Sequence, residues 1–198
     1  MVSIAFQPLQ EEAEAMHRSV ARLLLLSTTL LTEGGQSFSI AHAAAANFDI
    51  PQSGLTILTG DSWRIGEQVF RLYGVQSCLR GTAYTDRAGK QQDCGAVSAA
   101  VLAAILRDTK PRCSPVAQIS RPSSTPLTII VVCAAHVGSE TLDLGSIIIT
   151  QGFGFAAMNG HGRPVYAPYL AQEMLAQQAR AGLWAFPDVP QPNLDAAQ

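Results

Sequence analysis

A chain of 198 residues that is 47% hydrophobic and 14% charged can bury a sizeable core, which excludes a disordered tail protein and fits one globular domain. Its formal net charge of -2 removes the usual electrostatic case for nucleic-acid binding, because neutralising phosphates needs clustered Lys and Arg, and only a local basic patch is left open. In chain order, residues 16–46 form the first unit: a basic start at His17, Arg18 and Arg22, an apolar run from Leu23 to Leu31, and small residues at Ala41 and Ala43 to Ala46. This is the layout of a secretory signal peptide, and the run falls well short of the roughly 20 residues a membrane span needs. Residues 1–15 carry Glu11, Glu12 and Glu14 and no Lys or Arg, so Met16 is the expected true start. The expected organisation is therefore an extension and signal peptide over 1–46 and one domain over 47–198, with a tail fraying from about residue 187.

Asn47 to Ser53 reads as a lead-in, Leu55 to Thr59 as a strand, Gly60-Asp61 as a turn, and Trp63 to Ile65 with Gly66-Glu67 as a second strand and turn. Val69 to Val75 reads as a third strand, with Val69, Arg71, Tyr73 and Val75 on one face and Phe70 and Leu72 on the other. An arginine there is either a surface charge over apolar stems or a site group. From Gly95 to Leu106 the positions Val97, Ala100, Val101, Ala104 and Ile105 predict one buried helical stripe, capped by Asp93 and ended by Thr109-Lys110-Pro111. A strand from Cys113 to Ile119, a polar loop from Ser120 to Pro126 and a very apolar strand from Leu127 to Ala134, expected at the sheet centre, follow. Leu142 to Gly152 is ambiguous, since Ile147 to Ile149 favour a strand. Tyr169 to Trp184 predicts a helix with Ala171, Met174, Leu175, Ala179 and Leu183 on its buried face and Gly182 as its stop. All four cysteines lie after the signal-like segment, and an even count in an exported chain favours two disulfides. His136 and His161 stand at no zinc-ligand spacing from a cysteine, which argues against structural zinc.

The order Gly60-Asp61-Ser62, Arg71-Leu72-Tyr73-Gly74-Val75-Gln76, Asp143-Leu144, Gln151-Gly152, and a final Tyr-x-x-x-Glu, Ala-Arg and Gly-Leu-Trp over residues 169–184 resembles staphylococcal-nuclease-like domains. In that family a Gly-Asp-Thr turn, an Arg-Leu-x-Gly-Ile-Asp-Ala-Pro-Glu strand and loop, and a later Arg build a calcium-dependent phosphodiesterase site. The resemblance covers about residues 54–186 and implies an α+β fold: a five-stranded OB-type β-barrel with three α-helices. It also implies that Leu142 to Gly152 is a helix followed by an extended run.

Hydrolysis in such a site takes carboxylates that hold a cation, a Glu that handles the attacking water, and two arginines that stabilise charge on the phosphate. The resemblance puts Asp61 at the first metal-ligand position and Arg71 at the first arginine. It puts Gln76 at the second metal Asp, Ser77 at the Ala or Thr, Cys78 at the Pro, and Leu79 at the catalytic Glu. Gln76 offers a neutral oxygen, and Leu79 can neither accept a proton nor orient water. Thr128 stands where the second arginine is expected, leaving Arg121 as the nearby substitute. Tyr84 occupies the usual loop cysteine position of exported relatives, so the implied pairs are Cys78 with Cys94, closing the former active-site loop, and Cys113 with Cys133, tying neighbouring strands.

These observations predict an exported, periplasmic or secreted, disulfide-bonded domain without phosphodiesterase chemistry. It would need no cofactor and would bind an oligosaccharide, a nucleic acid or a protein on the barrel face, or act structurally. The alternative is a divergent nuclease that uses Ca2+ with Asp61, Gln76, Arg71 and Arg121. His161 lacks an accompanying motif that would make it a general base.

Overall fold

The computed structural model describes residues 46–121 and 124–192, so the signal-like segment lies outside the described residues. The fold mixes α and β structure, with three α-helices set on a curled sheet. The sheet begins as a meander of β2 (Leu55–Thr59), β3 (Ser62–Ile65) and β4 (Gln68–Leu72), all antiparallel. It continues through a long hairpin of β8 (Arg112–Arg121) and β9 (Ser124–Val137). Strand β4 pairs with β9 in parallel, giving the order β8-β9-β4-β3-β2, with β1 (Phe48–Asp49) added outside β8 and β10 (Glu140–Asp143) on β9. Among the described residues β2 and β8 are not paired, so the sheet curls without closing by hydrogen bonds. As expected, β9 is central.

Helix α1 (Cys94–Thr109) fills the opening between β4 and β8 in the chain, and its Leu102 and Leu106 pack with Trp63, Phe70 and Val131 in the main core. Its start is fixed by Asp93, whose side chain accepts from the Ala96 N–H at 2.8 Å. Lys110 ends it in the left-handed region at φ 43°. Helix α2 (Leu144–Thr150) is capped by Asp143 and drives Leu144 and Ile148 into the same core. Helix α3 (Ala167–Gln178) is followed by a short 3-10 turn over Gly182–Ala185.

Several expectations are corrected. The strand expected over Val69 to Val75 stops at Leu72, because Gly74 turns the chain at φ +69°, and Val75–Gln76 forms a separate β5 paired with β11 (Phe155–Ala156). The polar stretch from Ser120 to Pro126 is the end of the β8–β9 hairpin, whose strands run through Arg121 and from Ser124. Residues 83–93 form a small hairpin, β6 (Ala83–Thr85) with β7 (Gln91–Asp93), that the composition did not announce.

Both helical stripes are also rotated from their expected faces. Helix α1 buries Ser98, Ala99, Leu102, Ile105 and Leu106, while Ala100 is exposed. In a helix this rich in alanine several faces satisfy the apolar period, and the two leucines decide which one is buried. Helix α3 buries Tyr169, Glu173 and Ala176 and leaves Met174 and Leu175 53% and 62% exposed. Here a buried hydrogen bond from the Ala156 N–H to Glu173 Oε2, at 2.8 Å, overrides the apolar pattern.

Candidate functional site

Asp61 sits in the turn between β2 and β3 with 2% of its surface exposed. Glycine before it makes this possible: a Cβ on Gly60 would lie 2.5 Å from Ser98 Cβ and 3.0 Å from Ser77 Cβ, so α1 and the Ser77 segment can both press on the turn. Arg71 of β4 faces Ser62 across the ladder and reaches the turn from the neighbouring strand. Its Nε donates to Asp61 Oδ2 and its Nη2 to Gln76 Oε1, each at 2.8 Å. Gln76 in turn donates to the Ser77 carbonyl at 3.1 Å. The other carboxylate oxygen, Asp61 Oδ1, accepts from Ser77 Oγ at 3.0 Å and from the Thr59 hydroxyl. The structure thus brings Asp61, Arg71 and Gln76 together, and adds Thr59 and Ser77, which the sequence reading did not assign to the network.

These residues do not fit a calcium ion. Calcium takes about six to eight oxygen ligands, usually with more than one negative charge. Among the described residues Asp61 is the one carboxylate lining this cleft, and both of its oxygens already accept from protein donors. The Gln76 oxygen is likewise engaged by Arg71. Among the described residues no three His, Cys, Asp or Glu side chains are grouped to hold a metal ion.

The cleft around this network has a volume of about 440 Å³. Leu79, at the position implied for the catalytic Glu, is 47% exposed at its wall and supplies only apolar surface. Arg80, which the sequence reading passed over, lines the same cleft and donates Nε to the Leu58 carbonyl at 3.1 Å. The signal for it was its place beside Leu79 in the loop leaving Cys78.

That loop is fastened at several points. Cys78 is bonded to Cys94 at the start of α1, with Cα atoms 5.6 Å apart. Asp93 Oδ2 accepts from the Gly81 N–H at 3.0 Å, and the Cys94 N–H donates to Thr82 O at 2.8 Å. The Ala96 and Gly81 N–H groups, in that order, hold the Asp93 carboxyl below its ordinary range. A Cβ on Gly95 would lie 2.4 Å from the Arg80 backbone nitrogen, so the loop rests directly on the helix. The second bridge, Cys113–Cys133, joins directly opposed residues of β8 and β9.

Arg121 is placed differently. Its backbone pairs with Ser124 whereas Arg71 pairs with Ile130, six residues further along β9, which is about 20 Å of strand. The register does not bring it to Asp61, and its side chain lies outside the described residues. His161 is exposed in the turn after Asn159, which accepts from its backbone N–H at 2.9 Å, and its ring has no hydrogen-bond partner among the described residues. A second groove of about 400 Å³ shares Arg71 and Gln76 with the cleft and runs past Tyr73, Ile130, Met158 and Val165.

Compared with known proteins, the chain matches no family model and no curated sequence.

Proposed function

We propose that this is an exported, nuclease-like OB domain that has lost phosphodiester hydrolysis and binds an anionic ligand in the cleft between Arg71 and Arg80. One observation carries the reading: both oxygens of Asp61 are held by Arg71, Ser77 and Thr59, while Leu79 stands where water activation would need a carboxylate. The OB assignment is supported by the order β8-β9-β4-β3-β2, five strands with an antiparallel meander and a parallel β4–β9 pair, in keeping with a partly open barrel. Export is supported by two disulfides, which persist in oxidising compartments. Among the described residues no helix is long and apolar enough to cross a membrane.

Among the described residues, Arg71 keeps N–H groups beyond those given to Asp61 and Gln76, and Arg80 is bonded through its Nε alone, so an anion entering the cleft meets further guanidinium donors. The shared chemistry is an anionic polymer, either a nucleic acid or an acidic oligosaccharide. The test is to incubate the full chain with DNA and RNA in calcium, and to titrate it with a labelled oligonucleotide and a labelled uronic-acid oligosaccharide. No cleavage above background is expected, since losing a general base typically costs about 10²–10⁴ in rate. Binding of one polymer should weaken with salt and in Arg80→Ala. Calcium-dependent cleavage abolished by Asp61→Ala would overturn the reading in favour of a working calcium nuclease.

A further inference from the structure

Residues of β9, α2 and α3 line a partly open cavity of about 330 Å³ that shares no residue with the arginine cleft and is at the small end of the range for ligand pockets. Tyr73, Tyr166 and Tyr169 wall it. Tyr166 and Tyr169 meet edge to face with centroids 4.8 Å apart, and Tyr73 lies 6.3 Å from Tyr166 at a tilt of 56°. Tyr169 is buried while Tyr166 is 44% exposed, so the aromatic wall runs from the core out to solvent.

Several donors are spent within the wall: Tyr169 Oη donates to Asp143 Oδ2 at 2.6 Å, the Ser146 N–H to the same oxygen at 2.7 Å, Tyr73 Oη to the Val165 carbonyl at 3.3 Å, and Gln172 Nε2 to Ser146 Oγ at 3.1 Å. Acceptors are left over. Among the described residues, Gln172 Oε1 is buried and has no hydrogen-bond partner, and both bonds to Asp143 fall on Oδ2, leaving Oδ1. Among the described residues no Lys or Arg lines the cavity, so Asp143 gives it a formal negative charge.

We infer that this cavity is a binding site for a primary alkylammonium group, held over the tyrosine faces with its N–H groups given to Gln172 Oε1 and Asp143. Aromatic faces attract a cation through their quadrupole, and more strongly when water is excluded. An unpartnered buried carbonyl oxygen selects for a cation that carries N–H donors, which separates a primary ammonium from a quaternary one. The group is carried either by a small free amine or by a lysine side chain of another protein. The site is independent of the arginine cleft and of any reading of it.

The probes are n-butylammonium, n-butyltrimethylammonium, 1-butanol and an acetylated, amidated Gly-Lys-Gly peptide, each titrated into the full chain and followed by tyrosine fluorescence and NMR shifts. The expected result is saturable binding of butylammonium, about tenfold or more tighter than the trimethyl form, with no saturation by butanol. Tighter binding of the peptide assigns the lysine source, and tighter binding of butylammonium the free amine. Tyr166→Ala alters an exposed rim residue, and Gln172→Leu removes the unpartnered acceptor; each should weaken butylammonium about tenfold with thermal melting close to wild type. Equal binding of butanol, absence of saturation by either amine, or unchanged affinity in both variants would overturn the inference.

Discussion

Arg71 touches Asp61 and Gln76 at once, so a substitution at any of the three is felt by the other two. Arg71→Ala would leave a nearly buried carboxylate with its two hydroxyl donors but without its counter-charge. The expected loss is about 1–3 kcal/mol in urea unfolding, the usual cost of stranding a buried polar group, and moderated because the Arg71 side chain is itself one-third exposed. Arg71→Lys should recover little, since an ammonium lacks the planar fork that bridges two acceptors. Glu173 makes a prediction of the opposite sign. Burial raises its carboxyl above the ordinary value, so its proton is held more tightly in the folded state. That contribution is fully present below the unfolded value, near pH 4, and is lost as pH rises through the folded one. Glu173→Gln can keep the bond from the Ala156 N–H without the buried charge. It should therefore melt above wild type at pH 7, with the gap closing as the pH approaches about 4; a gap that widens on acidification would refute this. That Asp61, Arg71 and Gln76 meet was legible in the candidate site because they fall at the spacing of the motif they resemble. Thr59, Ser77 and Arg80 were not, because short hydroxyls near turns and an arginine in a loop are ordinary in sequence and acquire meaning only from what they touch.

Elements were legible where local chemistry decides them and illegible where packing does. Asp93 announces the start of α1 because a capping carboxylate acts within a few residues, and Asp143 caps α2 in the same way, although the helix there was implied by the resemblance alone. The ambiguity over Ile147 to Ile149, set by strand propensity, resolves as helix because the Asp143 cap and the core behind Leu144 and Ile148 outweigh it. The buried faces of α1 and α3 differ from the expected ones for the converse reason: they are chosen by Leu102 and Leu106 against the main core and by Ala156 against Glu173, contacts between residues distant in sequence. The seat of the cleft loop on α1 yields an element-scale prediction. In Gly95→Ala the new Cβ would meet backbone atoms of Leu79 and Arg80, at 2.6 and 2.4 Å, which cannot rotate away. The loop must shift, at a cost of about 1–3 kcal/mol, and Arg80 should lose its bond to Leu58. Thermal unfolding checks the first part and a crystal structure the second; a variant as stable as wild type would show that the loop is not seated on α1.

At the scale of the molecule, the buried apolar side chains among the described residues fall into two clusters, and each holds one disulfide. The larger gathers Trp63, Phe70, Leu102, Val131 and Ile148 with Cys113 and Cys133, while the smaller gathers Tyr84, Phe155 and Leu183 with Cys78 and Cys94. Other long-range ties of the smaller cluster include Asp188 Oδ2, which accepts from the Thr85 N–H at 2.9 Å, the Leu183 N–H, which donates to the Gly152 carbonyl at 3.0 Å, the pairing of Phe155 with Gln76, and the Tyr84–Phe186 and Phe155–Trp184 rings, 4.7 and 5.2 Å apart. The two bridges span similar sequence separations, 16 and 20 residues, so a purely entropic view assigns each about 3 kcal/mol. Their removal should nevertheless look different, because opening free energy is not uniform across a fold. Cys113 and Cys133 lie in the central hairpin, whose ladder opens only when the whole domain unfolds, so Cys113→Ala/Cys133→Ala should speed amide exchange throughout. Cys78→Ala/Cys94→Ala should instead release the cleft loop, the β6–β7 hairpin and the Gly182–Ala185 turn as a local unit. Hydrogen exchange read by mass spectrometry should then quicken over residues 79–93 and 182–190 while 128–134 stays at the wild-type rate. Equal acceleration of both regions in both variants would mean that the clusters open together, and that the Cys78–Cys94 bridge holds the fold as a whole rather than the cleft.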